Sequence, residues 1–521
     1  MPATWRRQRI GSPRNHACDS ALEYSLDPVN IVFFALRGHV GSLTLTLVLF
    51  VAVARPGLCA ADEPLVPRAV AAMRRATAFF HDHVAVHGGY VWECSPDLHL
   101  RRGERKAAPT EIWVQPPGTP TVGAAFLDAH AATGDEMHLV AARAAAAALL
   151  HGQLESGGWT DSIDFDAQGR GADRYRHGRG RAKGRNYSTL DDDKTQSALR
   201  LLMRVDERLR FEDREVHEAV TYALEAMLAA QFPSGGFPQG WREPVTEHPV
   251  LAASYPAYDW RTEQRVKEYW DLPTLNDGLA GTVSHTLHMA HGIYGDARYR
   301  RALERFGEFL LLAQMPEPQP AWAQQYTFGM HPAWARKFEP PAIAGAESED
   351  VVETLLFLHD ITADRRLLDA VGSALVWMRR SLLPDGRLAR FYELRTNRPL
   401  YFTRDTYDDD RLPTHYSFTK RPRLEHLERR HARALSGDRS SEPPATLKTL
   451  RRDAERIIDS LDAEGRWLAT ADGKPWPVDR AGSPRRDRDD AGGPVISSAL
   501  FARNLSRLAE FVEAARGAVT P

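Results

Sequence analysis

Two stretches of this chain put oxygen ligands where a helix should begin. STLDDDKTQ brings Asp191, Asp192 and Asp193 together, and DLPTLNDGLAG brings Asn276 beside Asp277. A single aspartate in a first helical turn is explained by capping and by the helix dipole. Three in a row exceed what capping can use, and like charges that close repel unless a cation is shared. Carboxylate and carbonyl oxygens suit calcium, and magnesium less well, rather than zinc. A third stretch, HPAWARKFEPP, fixes one arginine, Arg336, among aromatics and prolines with no helical or strand period. A stiff loop around a permanent cation suits the gripping of a carboxylate, because a guanidinium can hold one through two parallel hydrogen bonds.

The surrounding pattern says what must position these residues. TVGAAFLDAHAATGDEMHLVAARAAAAALLHGQLESGGW reads as a helix, a turn, a second helix and a Gly-Gly-aromatic stop, and the same order recurs along the chain. Gly88, Gly157, Gly235, Gly386 and Gly465 mark a step of roughly 70 to 80 residues with one double gap, in which QMPEPQPAWAQQY sits midway. Such glycines suit left-handed helix C-caps. Helix pairs that bury their apolar faces against neighbours close most simply into an all-α fold, an α/α toroid or incomplete α/α barrel. Long loops and a few short strands such as YVWEC and RFYEL complete it. The inner helices then enter from one end, so both acidic stretches lie on one rim. LEHLERRHARALSGDRSSEPP and PRRDRDDAGG read as polar linker, with helices near 446–462 and 497–516 closing the ring.

Charge nearly cancels over the 521 residues, 67 Lys and Arg against 69 Asp and Glu. That balance speaks against a nucleic-acid binder, which needs a basic domain. Basic residues up to Arg37, the apolar run VGSLTLTLVLFVAVA and small residues at Ala60 and Ala61 read as a signal peptide or presequence over 1–60, with the working domain at 61–521. The apolar run is shorter than the roughly 20 residues a spanning helix needs, so no stable membrane insertion is expected after its removal. Export, to the medium or the periplasm, and a monomer are expected. Cleavage near Ala60 leaves only Cys94 of the three cysteines. His285, His288 and His291 lack a metalloprotease spacing and read as packing residues. The basic loop RYRHGRGRAKGR, residues 174 to 185, reads as solvated, or as a feature that draws in a polyanion.

QFPSGGFPQGW, LNDG, QPAWAQQY, PAWARKFEPPAIAGAES and RFYELRTNRPLYFTRD, in this order, resemble the family 10 polysaccharide lyases, pectate lyases built on an α/α toroid. The resemblance implies calcium-assisted β-elimination of α-1,4-polygalacturonate or a related acidic polysaccharide. It makes Arg336 the base, and it assigns calcium to Asp191, Asp192 and Asp277. Arg390, Arg398, Arg404, Trp334, Asn276 and Lys194 become substrate-binding residues. Asp192 stands where that family has asparagine, and Asp193 and Lys194 stand where it has small residues. Three other functions compete. A terpene cyclase would need an aspartate where Leu190 stands. A glycoside hydrolase could pair Asp191 with Asp277 or Glu347. A uronate-binding protein would keep the loop without turnover.

Overall fold

The computed structural model describes residues 64–169, 171–261, 267–336, 338–401, 417–438, 445–470 and 493–518. All belong to one unit, Ala61–Pro521. Residues 1–60, read above as a presequence, and Arg404 lie outside the described residues. Twelve α-helices are described: α1 Leu65–Phe79, α2 Thr119–Thr133, α3 Glu136–His151, α4 Lys194–Arg208, α5 Arg214–Ala229, α6 Leu279–Tyr294, α7 Ala297–Leu312, α8 Gly345–Thr362, α9 Arg365–Arg380, α10 Leu424–Leu435, α11 Leu447–Asp459 and α12 Ser498–Gly517. The fold is an α/α toroid. Inner helices α12, α2, α4, α6, α8 and α10 pack in that order, α3, α5, α7 and α9 back them, and α1 lies against α11 and α12 to bring the two ends of the domain together. Strands are two to four residues long and tie loops together on the rim, for example Ser188–Thr189 with Gly240–Trp241. Among the described residues no helix is long and apolar enough to cross a membrane.

The repeat has a hydrogen-bond identity. Gln153, Gln231 and Gln314 each follow an outer helix and send both amide protons to backbone carbonyls. One goes to the local turn (Gly157, Gly235, Pro320) and the other to the next outer helix (Ala219, Ala302, Ala370), at 2.8–3.1 Å. Trp159, Trp322 and Trp467 donate their indole N–H to the carbonyls of Leu149, Leu310 and Ile457 near the ends of outer helices. Three successive helix pairs are thus pinned to the next by a hydrogen-bonded polar group, which fixes orientation as well as burying apolar surface.

The marker glycines do have positive φ, but they lie in a turn beyond the helix end rather than at the cap. Gly235, at φ +93°, leaves no room for a side chain, since an added Cβ would sit 2.0 Å from the Arg305 carbonyl on α7. True left-handed C-caps close two inner helices at Gly134 and Gly295. One linker assignment is corrected: LEHLERRHARAL forms α10, which packs on α8 and α9. Its charged residues hide a narrow apolar stripe in which only Leu424 and Leu427 are buried.

Aspartate does different work at the two ends of the pairs. Asp135, Asp213, Asp296 and Asp364 begin α3, α5, α7 and α9, and each side chain accepts a backbone N–H in the first turn. Inner helices α4 and α6 have no side-chain cap. The acids at their starts are therefore not there to cap.

His138 on α3 is buried and hydrogen-bonds Thr77 of α1 at 2.9 Å. Burial pushes its pKa down to about 4. The folded state then binds fewer protons than the unfolded state between that value and about 6.5, so stability is full above about 6.5 and falls as pH drops toward 4. Thermal unfolding followed across this window should show that loss, up to roughly 3 kcal/mol, and His138→Gln should flatten it. Separately, Gly235→Ala should lower stability by about 1–3 kcal/mol in chemical denaturation, through both strain and the Arg305 clash.

Candidate active site

The starts of α4 and α6 are built alike. Leu190–Lys194 and Leu275–Leu279 each form one tight turn before the helix. Asp192 (φ 48°, ψ 35°) matches Asp277 (φ 52°, ψ 40°), and Asp193 (φ 62°, ψ 23°) matches Gly278 (φ 71°, ψ 16°). Two consecutive left-handed residues are costly for side-chain-bearing amino acids and mark functional turns more often than structural ones. Both turns are hung from the loop beyond the next outer helix: Leu190 N–H donates to the Gln239 carbonyl at 2.7 Å and Leu275 N–H to that of Gln324 at 2.9 Å.

This geometry aims the acids at one another. Carboxylate oxygens of Asp191, Asp192 and Asp277 lie within 4.8 Å of one another. Lys194 places its ammonium 2.8 Å from Asp191 Oδ2 and 3.5 Å from Asp192 Oδ2. Gln239 Nε2 donates to Asp191 Oδ1 at 2.5 Å, Gln115 Nε2 to Asp192 Oδ2 at 3.0 Å, and Asn276 Nδ2 to Asp277 Oδ2 at 2.5 Å. Asp193 turns away to Arg200 at 2.5 Å and leaves the cluster.

The electrostatics follow from these contacts. Burial pushes Asp191 up, but Lys194 and Gln239 outweigh it and hold the group below the ordinary range. Asp192 is raised by burial and by Asp191. Asp277 is exposed at the mouth, yet the packed atoms behind it, then Asp192, Asp191 and Glu347, push it up to about 8. Glu347, buried in the first turn of α8, is raised by burial, against which Arg390 works; the guanidinium lies 4.0 Å away. Asn276 Oδ1, Gln115 Oε1 and Glu347 Oε2 are buried acceptors to which no group among the described residues donates. Clustered carboxylates with such oxygens at their edge form an all-oxygen donor set, and the residues present fit a calcium ion.

Arg336 forms a bidentate pair with buried Glu339 at 2.8 and 2.5 Å, and its own N–H joins the same carboxylate at 3.1 Å. Burial raises the Tyr269 hydroxyl, which also lies within electrostatic reach of Arg336 and Glu339 and of Asp191 and Asp277. Trp334 is half-buried and donates its indole N–H to the Arg336 carbonyl at 3.2 Å, so it braces the loop.

The remaining anticipated residues divide. Arg390 joins the site through Glu347. Arg398 is engaged instead by buried Glu393 at 3.0 Å, which Arg261 also grips, in a cluster that ties two loops. Trp322, Tyr326 and Tyr392 are core residues. His285 and His288 pack on Phe357 and His291 meets the Asp296 carbonyl. The basic loop is held down: Arg174 pairs with Glu155, Arg176 with Glu218 and over the Tyr222 ring, and Arg185 with Asp161 and Asp173. Sequence reasoning did not single out Gln115, Gln239, Glu339 or Tyr269. The signal for Gln239 lay in QFPSGGFPQGW, where a second glutamine recurs before an aromatic as it does in QPAWAQQY.

Residues 153–389 match the family model described as pectic acid lyase. The match supports a polysaccharide lyase of the pectate lyase type, and Asp191, Asp192, Asp277 and Arg336 all lie inside the matched span. No curated protein matches the chain. Among solved structures, it is similar to a family 10 polysaccharide lyase from Cellvibrio cellulosa, there a mutant in complex with trigalacturonic acid (19% identity, 61% of this chain and 97% of that one, TM-score 0.42). It is also similar to a cellobiose 2-epimerase from Spirochaeta thermophila (16% identity, 87% and 100%, TM-score 0.41).

Carboxylates crowded for function cost stability. Asp277→Asn should raise the thermal midpoint in EDTA by about 1–3 °C, and a midpoint at or below that of the parent would refute the crowding.

Proposed function

We propose that this protein cleaves α-1,4-polygalacturonate by β-elimination, with calcium bound by Asp191, Asp192 and Asp277. The observation that carries the reading is the convergence of three carboxylates within 4.8 Å beside the Arg336 loop, inside the span matched to pectic acid lyase. Calcium there supplies positive charge against the uronate carboxylate, where negative charge grows as the neighbouring proton leaves. Asn276 and Lys194 border that carboxylate, Arg390 meets that of an adjoining sugar, and Arg398 and Arg404 are assigned to substrate binding as well.

The chemistry has three changes to balance. The C5 proton goes to a base, the C5–H electron pair becomes the C4=C5 double bond, and the C4–O bond breaks so that the leaving oxygen gains a proton. Arg336 is assigned as the base. A guanidinium is ordinarily charged, and here it is paired with Glu339, so the assignment requires Arg336 to leave that pair and give up one proton to solvent before it takes the proton from C5. The Pro-flanked loop, closed by Glu339 N–H to the Arg336 carbonyl at 2.9 Å, keeps the arginine from wandering. Hydrolysis is the competing reading, with Asp191 paired with Asp277 or Glu347 as its two carboxyl groups, and the products distinguish the two. A polymer substrate also fits an exported protein with residues 1–60 as presequence.

The test is polygalacturonate with calcium and then with EDTA, followed by ultraviolet absorbance of the unsaturated product. Absorbance should rise with calcium, and Arg336→Ala should lower kcat by about 10²–10⁴-fold. Reducing ends without absorbance would point to hydrolysis, and binding with neither signal to a sugar-binding protein.

A further inference from the structure

Lys194 is in the wrong place for a lysine. It is the first residue of α4, where the helix dipole favours acids and disfavours a cation. Its side chain is only 9% exposed, so its charge has also lost most of its water. The backbone does not require it, because the sister turn of nearly the same dihedral angles carries Leu279 at the same position. Two unfavourable terms and no structural demand mean that something else holds the ammonium there. What holds it is the cluster: Asp191 Oδ2 at 2.8 Å and Asp192 Oδ2 at 3.5 Å.

That position matters for any second cation. Asp191 and Asp192 are two of the three converging acids, and each already faces the ammonium. The remaining oxygen of Asp191 accepts from Gln239 and Asp192 Oδ2 also accepts from Gln115. Of the three, only Asp277 has no cation within ion-pair distance among the described residues, its hydrogen-bond donor being the neutral Asn276 amide. A divalent ion entering the cluster therefore meets one acid free of cations and two already partly neutralised, with a fixed positive charge beside them.

Resting on the lyase reading, we propose that Lys194 is a resident cation of this site: it competes with calcium for Asp191 and Asp192, weakens calcium binding, and supplies part of the charge that grips the uronate carboxylate when calcium is absent. Lys194 is thereby a positioning residue toward the ion and a binding residue toward the substrate. Its consequence is an enzyme with loosened dependence on calcium.

Calcium binding to the full chain is titrated by calorimetry for the parent, Lys194→Met and Lys194→Arg, and polygalacturonate conversion is followed in excess EDTA and in calcium. Lys194→Met should bind calcium about tenfold or more tightly than the parent, while Lys194→Arg stays within about threefold. Conversion in EDTA should persist in the parent and fall by about tenfold in Lys194→Met. Should Lys194→Met fail to fold by circular dichroism, Lys194→Leu, which copies the sister turn, replaces it. Equal or weaker calcium binding in the folded variant overturns the proposal and leaves Lys194 a structural neutraliser. Absence of calcium binding in every protein overturns it too. If no protein converts polygalacturonate, the lyase reading fails, and the calorimetric comparison alone still decides whether Lys194 competes with calcium.

Discussion

Mutual repulsion among Asp191, Asp192 and Asp277 is the constraint the rest of this molecule answers to. Their oxygens converge within 4.8 Å, and nothing in the local chain would keep them there. The starts of α4 and α6 hold them through paired left-handed turns that propensity alone would not produce. The positive ends of both helices point at the cluster, Lys194 faces two of its members, and Gln115 and Gln239 donate into it. A strained backbone carrying like charges persists only when its surroundings over-determine it.

Those surroundings are the repeating helix pairs. Three successive outer helices, α3, α5 and α7, are each fastened to the next by a glutamine that bridges two carbonyls, and the ends of α3 and α7 are closed by tryptophan indoles. The glutamine bonds join residues 56 to 71 positions apart, so they convert local helix formation into a rigid ring. Rigidity matters here because a charge cluster displaced by a fraction of a bond length stops being a site.

The second cation follows a different rule. Arg336 is placed by its own loop, with Glu339 three residues on supplying both the turn and the counter-charge. Glu339 fills the guanidinium fork through two side-chain hydrogen bonds, so the position of Arg336 is fixed without help from the helices. Lys194 and Arg336 thus bring two fixed positive charges to a rim whose own acids would otherwise repel a polyanion.

Much of this was legible in the sequence. Helix pairs, their step and the toroid follow from apolar periodicity and from glycines that must turn the chain. The acidic helix starts stood out because three aspartates are more than one cap can use. Arg336 stood out because nothing in a regular element explains it. The α10 segment was misread because the same charged side chain can face solvent or cover a narrow apolar stripe, and composition does not say which. Only the tertiary structure decided that Asp193 leaves the cluster for Arg200, that Glu339 holds Arg336, and that Glu347 approaches Asp277 from the next inner helix. Periodicity is a property of neighbours along the chain and is written in it, whereas a charge cluster is made between residues some eighty positions apart, and its members are chosen by where the ring brings them.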